Sequence, residues 1–256
     1  MFMKFNAESI SIQNTMYLDK PNEDFYICDN ENGIYIILDG VSRDVIEGKY
    51  PNPSPAQQVS EIFAIKVQEY LQKELKGNVS DFQTVVKDAM SFGNECISRF
   101  NSQGIYSFPP GTVGIILLIR GKNAYFGFIG DCIGKIVSFD NIVTFTKDQT
   151  EGVALYRSKY TQQEIRAKIC NNPNHPAGYG VLNGTKAALG FIETGHFELS
   201  GDKKILLYTD GFEETMDSLS LHQFYNISLK NAEDLAIPKD NKPLDDRTLL
   251  IISNME

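Results

Sequence analysis

Ile34-Tyr35-Ile36-Ile37-Leu38 runs without a polar residue into Asp39-Gly40. Five such side chains in a row, three of them β-branched, read as a strand buried on both faces, because a half-exposed strand would alternate. Ile115–Ile119 and Leu249–Ile252 repeat the pattern. All three have strand length and fall far short of the roughly 18 residues that a membrane helix needs. Upstream, Asn30–Gly33 is a turn signal, Phe25–Cys28 a short strand, Asp19–Asp24 a polar turn and Ile10-Ser11-Ile12 a weak β-like stretch. Downstream, a loop from Ser42 to Pro55 leads into two amphipathic helices. Val59, Ile62, Phe63, Ala64, Ile65, Val67 and Leu71 form the apolar stripe of the first, with Ser54-Pro55 as N-cap and first turn. Phe82, Val86, Ala89, Met90, Gly93 and Ile97 form that of the second, starting at Ser80 or Asp81. Two successive amphipathic helices make a layer against a sheet.

Gly111–Ile119, Ala124–Ile129 and Gly134–Phe139 follow as strands separated by Gly121-Lys122-Asn123 and Gly130-Asp131. Such short turns predict an antiparallel meander. Residues 146–190 are more polar, with a helix around Gln162–Ile169 and an Asn/Pro/Gly-rich loop from Asn171 to Gly184. They read as an insertion over a site rather than a separate domain. Gly195–Leu199, Lys204–Thr209 and Thr248–Ser253 complete the strands, and 212–243 has little periodicity. One domain over 1–256, of class α+β, is expected.

With 24 basic against 33 acidic residues, the chain carries a net charge of −9. That balance disfavours non-specific binding to nucleic acid or to an anionic membrane. Met1 to Asn6 lacks the apolar core of a secretory leader. The four cysteines form no CxxC pair and read as reduced thiols of a cytoplasmic protein. Three histidines make a His-rich zinc site a poor expectation, so a bound metal would need oxygen ligands.

The acids are placed informatively. Asp39, Asp131 and Asp210 follow apolar strands, Asp245-Asp246 precedes one, and Glu23-Asp24 precedes another. An acid at the end of a buried strand is desolvated, and several converging acids repel one another. A divalent cation such as magnesium or manganese removes both penalties. Asp39-Gly40 and Asp210-Gly211 are also ordinary turn dipeptides. Their glycines would let the backbone turn tightly and bring a carbonyl near a ligand.

Taken in order, Asn22-Glu23-Asp24, Ile37-Leu38-Asp39-Gly40-Val41-Ser42, Gly111-Thr112-Val113, Ile129-Gly130-Asp131, Leu207-Tyr208-Thr209-Asp210-Gly211 and Asp245-Asp246-Arg247-Thr248-Leu249 resemble the motifs of bacterial PPM-type (type 2C) serine/threonine protein phosphatases. The resemblance spans residues 10 to 253. It implies a four-layer α-β-β-α sandwich, two antiparallel sheets flanked by helix pairs, with two Mg2+ or Mn2+ ions bridged by water or hydroxide in a cleft at one edge. On this resemblance Asp39 bridges both ions, Gly40 offers its carbonyl, and Asp210 and Asp245 are ligands. Glu23 reaches a metal through water, Asp24 is its neighbour, and Asp131 serves a third ion. The implied reaction is attack of an activated water on a phosphoserine or phosphothreonine of a protein substrate; separately, a monomer is expected.

The sequence departs from the family at the phosphate-holding arginine, where Asp19 stands; Lys20 beside it and Arg43 are the substitutes. Val41 replaces the histidine of eukaryotic members, and Ser42-Arg43 replaces a frequent Gly-Gly. The departures motivate an alternative, a catalytically impaired binding or sensor module on the same fold. An enzyme acting on a small phosphorylated metabolite is a third reading. His175, Gly180–Gly184 and Glu213-Glu214 carry weaker signals: a solvated loop histidine or a catalytic one, a turn or a flap contact with substrate, a helix start or an extra ligand.

Overall fold

The computed structural model describes residues 4–15, 19–41, 49–106, 108–235 and 244–255. Among the described residues, ten strands form two five-stranded antiparallel sheets. The first contains β1 (Lys4–Ile12), β6 (Ile133–Val137), β7 (Ile142–Thr144), β9 (Lys204–Tyr208) and β10 (Arg247–Met255), in the order β1-β10-β9-β6-β7. The second contains β2 (Phe25–Asp29), β3 (Ile34–Val41), β4 (Gly111–Arg120), β5 (Asn123–Ile129) and β8 (Glu193–Glu198), in the order β2-β3-β4-β5-β8.

Period-2 alternation explains the continuous apolar runs. On β3, Tyr35 and Ile37 point between the sheets while Ile34, Ile36 and Leu38 point the other way, into the helix layer. On β10, Leu250 and Ile252 face the other sheet, and Leu249 and Ile251 face outward. Each run is thus split between two cores. The outer helices α1 (Pro55–Glu74) and α2 (Phe82–Asn101) cover the second sheet with Val59, Phe63, Val67, Val86, Met90 and Ile97. Ser54 caps α1, accepting from Gln57 N, and Asp81 caps α2. They cross closely because Gly93 leaves room: a Cβ there would lie 2.4 Å from the Phe63 ring.

The first sheet is covered by Phe212, Met216, Phe224, Ile227 and Ala232. Apart from Ile227, which lies between the last two, they belong to a 3₁₀ turn and three short helices, α4 (Glu213–Asp217), α5 (Leu221–Tyr225) and α6 (Leu229–Leu235), rather than to a helix pair. The fold is therefore the four-layer α+β sandwich expected, with one helical layer broken into short pieces. Helices of five to seven residues show too few turns for a periodic stripe, which is why this layer has little signal in the sequence.

The meander expectation needs correcting. β4 and β5 form a hairpin, but β6 does not continue it; β6 pairs with β9 and β7 in the other sheet. Gly130, at φ 87°, breaks the ladder after Ile129, and the chain crosses between the sheets there. The Gly130-Asp131 dipeptide is thus a sheet-to-sheet crossing, not a hairpin turn. β1 is also three times longer than Ile10–Ile12, pairing with β10 from Lys4↔Met255 to Ile12↔Arg247.

Candidate functional site

Five segments end at the same edge of the sandwich. β3 delivers Asp39 and Gly40, the β5–β6 crossing Asp131, the end of β9 Asp210, the start of β10 Asp245, and the segment before β2 Glu23. All six line one cavity of about 220 Å³, together with Lys20. The two Asp-Gly glycines serve close approach rather than an unusual backbone turn, since neither has positive φ. A Cβ on Gly40 would lie 2.7 Å from the Glu23 carbonyl oxygen, and one on Gly211 would lie 2.1 Å from that of Asp246. Any larger residue would push apart the segments carrying the acids.

Hydrogen bonds fix the wall behind the cavity. Asp246, 4% exposed, accepts from the Asn14 backbone N–H (2.8 Å) and amide (3.1 Å), and from the Glu23 backbone N–H (3.1 Å). Thr112 Oγ1 donates to the Asp39 carbonyl at 2.8 Å. Thr209 Oγ1 donates to Asp24 Oδ2 at 2.9 Å and accepts from Thr248 N–H at 3.0 Å. Asp24 is buried behind the wall and is not among the cavity-lining side chains. Ser54, besides capping α1, donates its hydroxyl to Glu23 Oε1.

Lys20 is 8% exposed, and its ammonium lies 2.7 Å from Asp246 Oδ2, 3.2 Å from Glu23 Oε2 and 3.3 Å from Asp245 Oδ1. Burial alone would lower its pKa; the charges of Glu23, Asp246 and Asp245 overcome that and raise it, so the ammonium keeps its proton.

The carboxylates are strained electrostatically. Burial, then the charges of Asp210, Asp24, Asp131 and Asp245, pushes Asp39 well above the carboxylate range. Burial raises Asp24 to about 8, with Asp246 and Asp210 adding to it against hydrogen bonds from Thr248 and Thr209. Burial followed by Asp210 raises Asp131 to about 7. Among the described residues, no three His, Cys, Asp or Glu side chains form a ready-made metal cage. The donor chemistry nevertheless fits a hard divalent cation. The acidic side chains lining the cavity offer oxygen ligands, and they repel one another.

The opposite wall comes from residues 146–190. A 3₁₀ turn, Glu151–Tyr156, and α3 (Gln162–Lys168), started by the Thr161–Glu164 capping box, hold a small core of Val153, Ile165, Ile169 and Ala177. Paired backbone bonds between Thr112 and Leu182 (2.9 and 3.0 Å) stitch this segment to β4. It brings Arg157 and Arg166 to the cavity that the acids line.

Sequence reasoning did not single out these arginines. The signal was their being the only two arginines in the segment that reads as an insertion. It also gave no separate role to Asp246, which anchors the wall. Of the sequence candidates, Lys20, Glu23, Asp39, Gly40, Asp131, Asp210 and Asp245 come together, and Arg43 lies outside the described residues. His175 accepts from Ala177 N–H and packs edge-on against Tyr156. Glu213-Glu214 starts α4. The four cysteines are free thiols.

No protein-family model matches the chain, and no curated protein matches it either. Solved structures do. The serine/threonine phosphatase PstP/Ppp of Mycobacterium tuberculosis aligns with a TM-score of 0.70 over 99% of this chain and 100% of its own, at 16% identity. The catalytic domain of PstP in complex with two manganese ions gives 0.69 over 99% and 100%, at 15% identity. PppA, a regulatory component of the type VI secretion system of Pseudomonas aeruginosa, gives 0.69 over 99% of both chains, at 16% identity. The chain has the fold of these bacterial phosphatases, as its motif order implied. At such identities the roles of individual residues rest on the geometry above.

Proposed function

We propose that the chain is a Mg2+- or Mn2+-dependent phosphatase that hydrolyses phosphoserine or phosphothreonine on proteins. One observation carries this reading: acids from both sheets converge on a cavity that two arginines also line. Asp39, Asp210, Asp245, the Gly40 carbonyl and Glu23 would hold two ions, and Asp131 a third. Bound there, the ions would supply Lewis acidity toward water and the phosphate oxygens.

The protein's own groups do the rest. Arg157 and Arg166, lining the same cavity as the acids, would pair with phosphate oxygens and so orient phosphorus toward a water held among the carboxylates. Water oxygen bonds to phosphorus, the bond to the serine or threonine oxygen breaks, and that oxygen leaves with a proton from solvent. Lys20 is less suited to hold phosphate than its position in the sequence implies, because three carboxylates already share its ammonium. Its role here is to brace Glu23, Asp245 and Asp246.

That same ammonium favours a second reading, a phosphatase-fold module that binds phosphoproteins without turnover because Lys20 keeps the acids from a cation. Among the described residues, no helix is long and apolar enough to cross a membrane. The free thiols fit a reducing compartment, and a cytoplasmic monomer is the form proposed. The deciding experiment is hydrolysis of a phosphothreonine peptide with Mn2+, Mg2+ or chelator, by the protein and by Asp39→Asn. Metal-dependent turnover lost in the variant supports the enzyme. Peptide binding without turnover supports the module, and absence of cation binding refutes the metal site.

A further inference from the structure

A second cavity, of about 270 Å³, adjoins the acid-lined one, and Val41, Arg166, Tyr179 and Val181 line both. Its remaining wall includes Phe108, Pro109, Cys170 and Ala187. The polar side chains in this wall are engaged with one another. The Asn171 amide donates to the Val181 carbonyl (2.8 Å) and to Asn183 Oδ1 (3.0 Å), and Asn171 Oδ1 accepts from Val181 N–H (2.8 Å). Asn183 Oδ1 also accepts from the Thr185 hydroxyl at 2.7 Å. Burial pushes the Cys170 thiol up to about 11, so it lines the cavity as a neutral, weakly polar group. The Arg166 guanidinium carbon sits 5.9 Å from the centre of the Phe108 ring, placing the cation at the boundary between the two cavities.

We infer that this second cavity is a specificity subsite, which takes an apolar side chain within two residues of the phosphorylated serine or threonine. The inference rests on the phosphatase reading above and adds the substrate class. The occupant follows from continuity. A chain whose phosphate meets Arg166 from the acid side has its neighbouring residue at the other face of the same arginine. There the described wall is Phe108, Pro109, Cys170 and Ala187 beside the mutually bonded Asn171, Asn183 and Thr185. With Arg166 held by the phosphate, a charged flanking residue would be desolvated at that position without a partner of its own.

The test uses phosphothreonine peptides identical except for Leu or Glu at each of the two positions on either side. At one position Leu should exceed Glu by about tenfold or more in kcat/KM, mainly through KM, the scale set by removing one leucine side chain from water. Ala187 is exposed, so Ala187→Phe fills the cavity mouth without disturbing the core and should bring the ratio to within about twofold. Ala187→Glu, which does not depend on a large side chain fitting, should also lower it. A wild-type protein without the preference overturns the subsite, as does a preference that survives both substitutions. p-Nitrophenyl phosphate separates the two readings. Hydrolysis of it without any flank preference removes the subsite and leaves the phosphatase. If nothing is hydrolysed, the same peptides are compared by fluorescence anisotropy; a tenfold ratio in Kd supports the subsite and equal values overturn it.

Discussion

Replacing Lys20 with Met tests the electrostatic account of the acid cluster most directly. The substitution keeps the length of the side chain, so little cavity is created, but removes the ammonium bonded to Glu23, Asp245 and Asp246. Glu23 is 1% exposed and Asp246 4%, so both lose a counter-charge in a dry environment. Removing one partner from a buried pair costs about 3–5 kcal/mol. Asp245, whose side chain is 36% exposed, adds little. Asp246 keeps its bonds from Asn14 and the Glu23 N–H, and Glu23 keeps Ser54, which places the loss near the lower end, about 3 kcal/mol. Urea unfolding in chelator should therefore move the midpoint down by about 1 M for an m-value near 3 kcal/mol/M. Mn2+ should raise the melting temperature of the variant more than that of the wild type, because a bound cation then replaces the missing ammonium. A midpoint shift below about 0.3 M, on the same m-value, would refute the reasoning, since the buried pairs would then be worth no more than surface ones.

Other perturbations separate positioning from charge. Gly211→Ala sets a Cβ against the Asp246 carbonyl, a backbone atom that cannot yield cheaply; it should lower the melting temperature by several degrees and weaken Mn2+ binding measured by calorimetry. Arg166→Ala and Arg157→Ala should each reduce kcat/KM on phosphopeptides by about 10–100-fold, the scale of a lost charge-assisted hydrogen bond, with unfolding midpoints nearly unchanged. In chelator, stability should fall as pH rises. Asp24 at about 8 and Asp131 at about 7 hold protons in the folded state that they release when unfolded near pH 4. Their contribution is complete below pH 4 and is lost on rising through 7–8. Melting curves between pH 5 and 8.5 should show the decline, and saturating Mn2+ should reverse it.

The sequence made the two-faced strands legible because a run such as Ile34–Leu38 has few other places to go, and it made the acids legible because each closes such a run. It did not show why Gly40 and Gly211 are glycines. That reason is a close approach to Glu23 and Asp246, contacts between residues far apart along the chain. The same limit hid the passage of β6 to the other sheet, since Gly130-Asp131 has the composition of a hairpin turn and only pairing partners distinguish the two. Arg157 and Arg166 carry no local pattern; their significance comes from the folding of 146–190 over the acids. Lys20 was legible as a charge near the site, but its sharing by three carboxylates depends on bringing residue 20 to residues 245 and 246.

The pairing of β1 with β10 has a consequence for how the protein is made. Residues 4–12 find their partners only at 247–255, and Lys20 and Glu23 meet Asp245 and Asp246 only when that strand docks. On the ribosome, the first strand must wait for more than two hundred further residues before its edge is covered. Contacts this distant close late and slowly. A nascent or truncated chain ending before residue 245 would hold Asp39 and Asp210 without the acid from β10. The site would therefore be completed by the last strand, and a partly made copy would be inert rather than promiscuous.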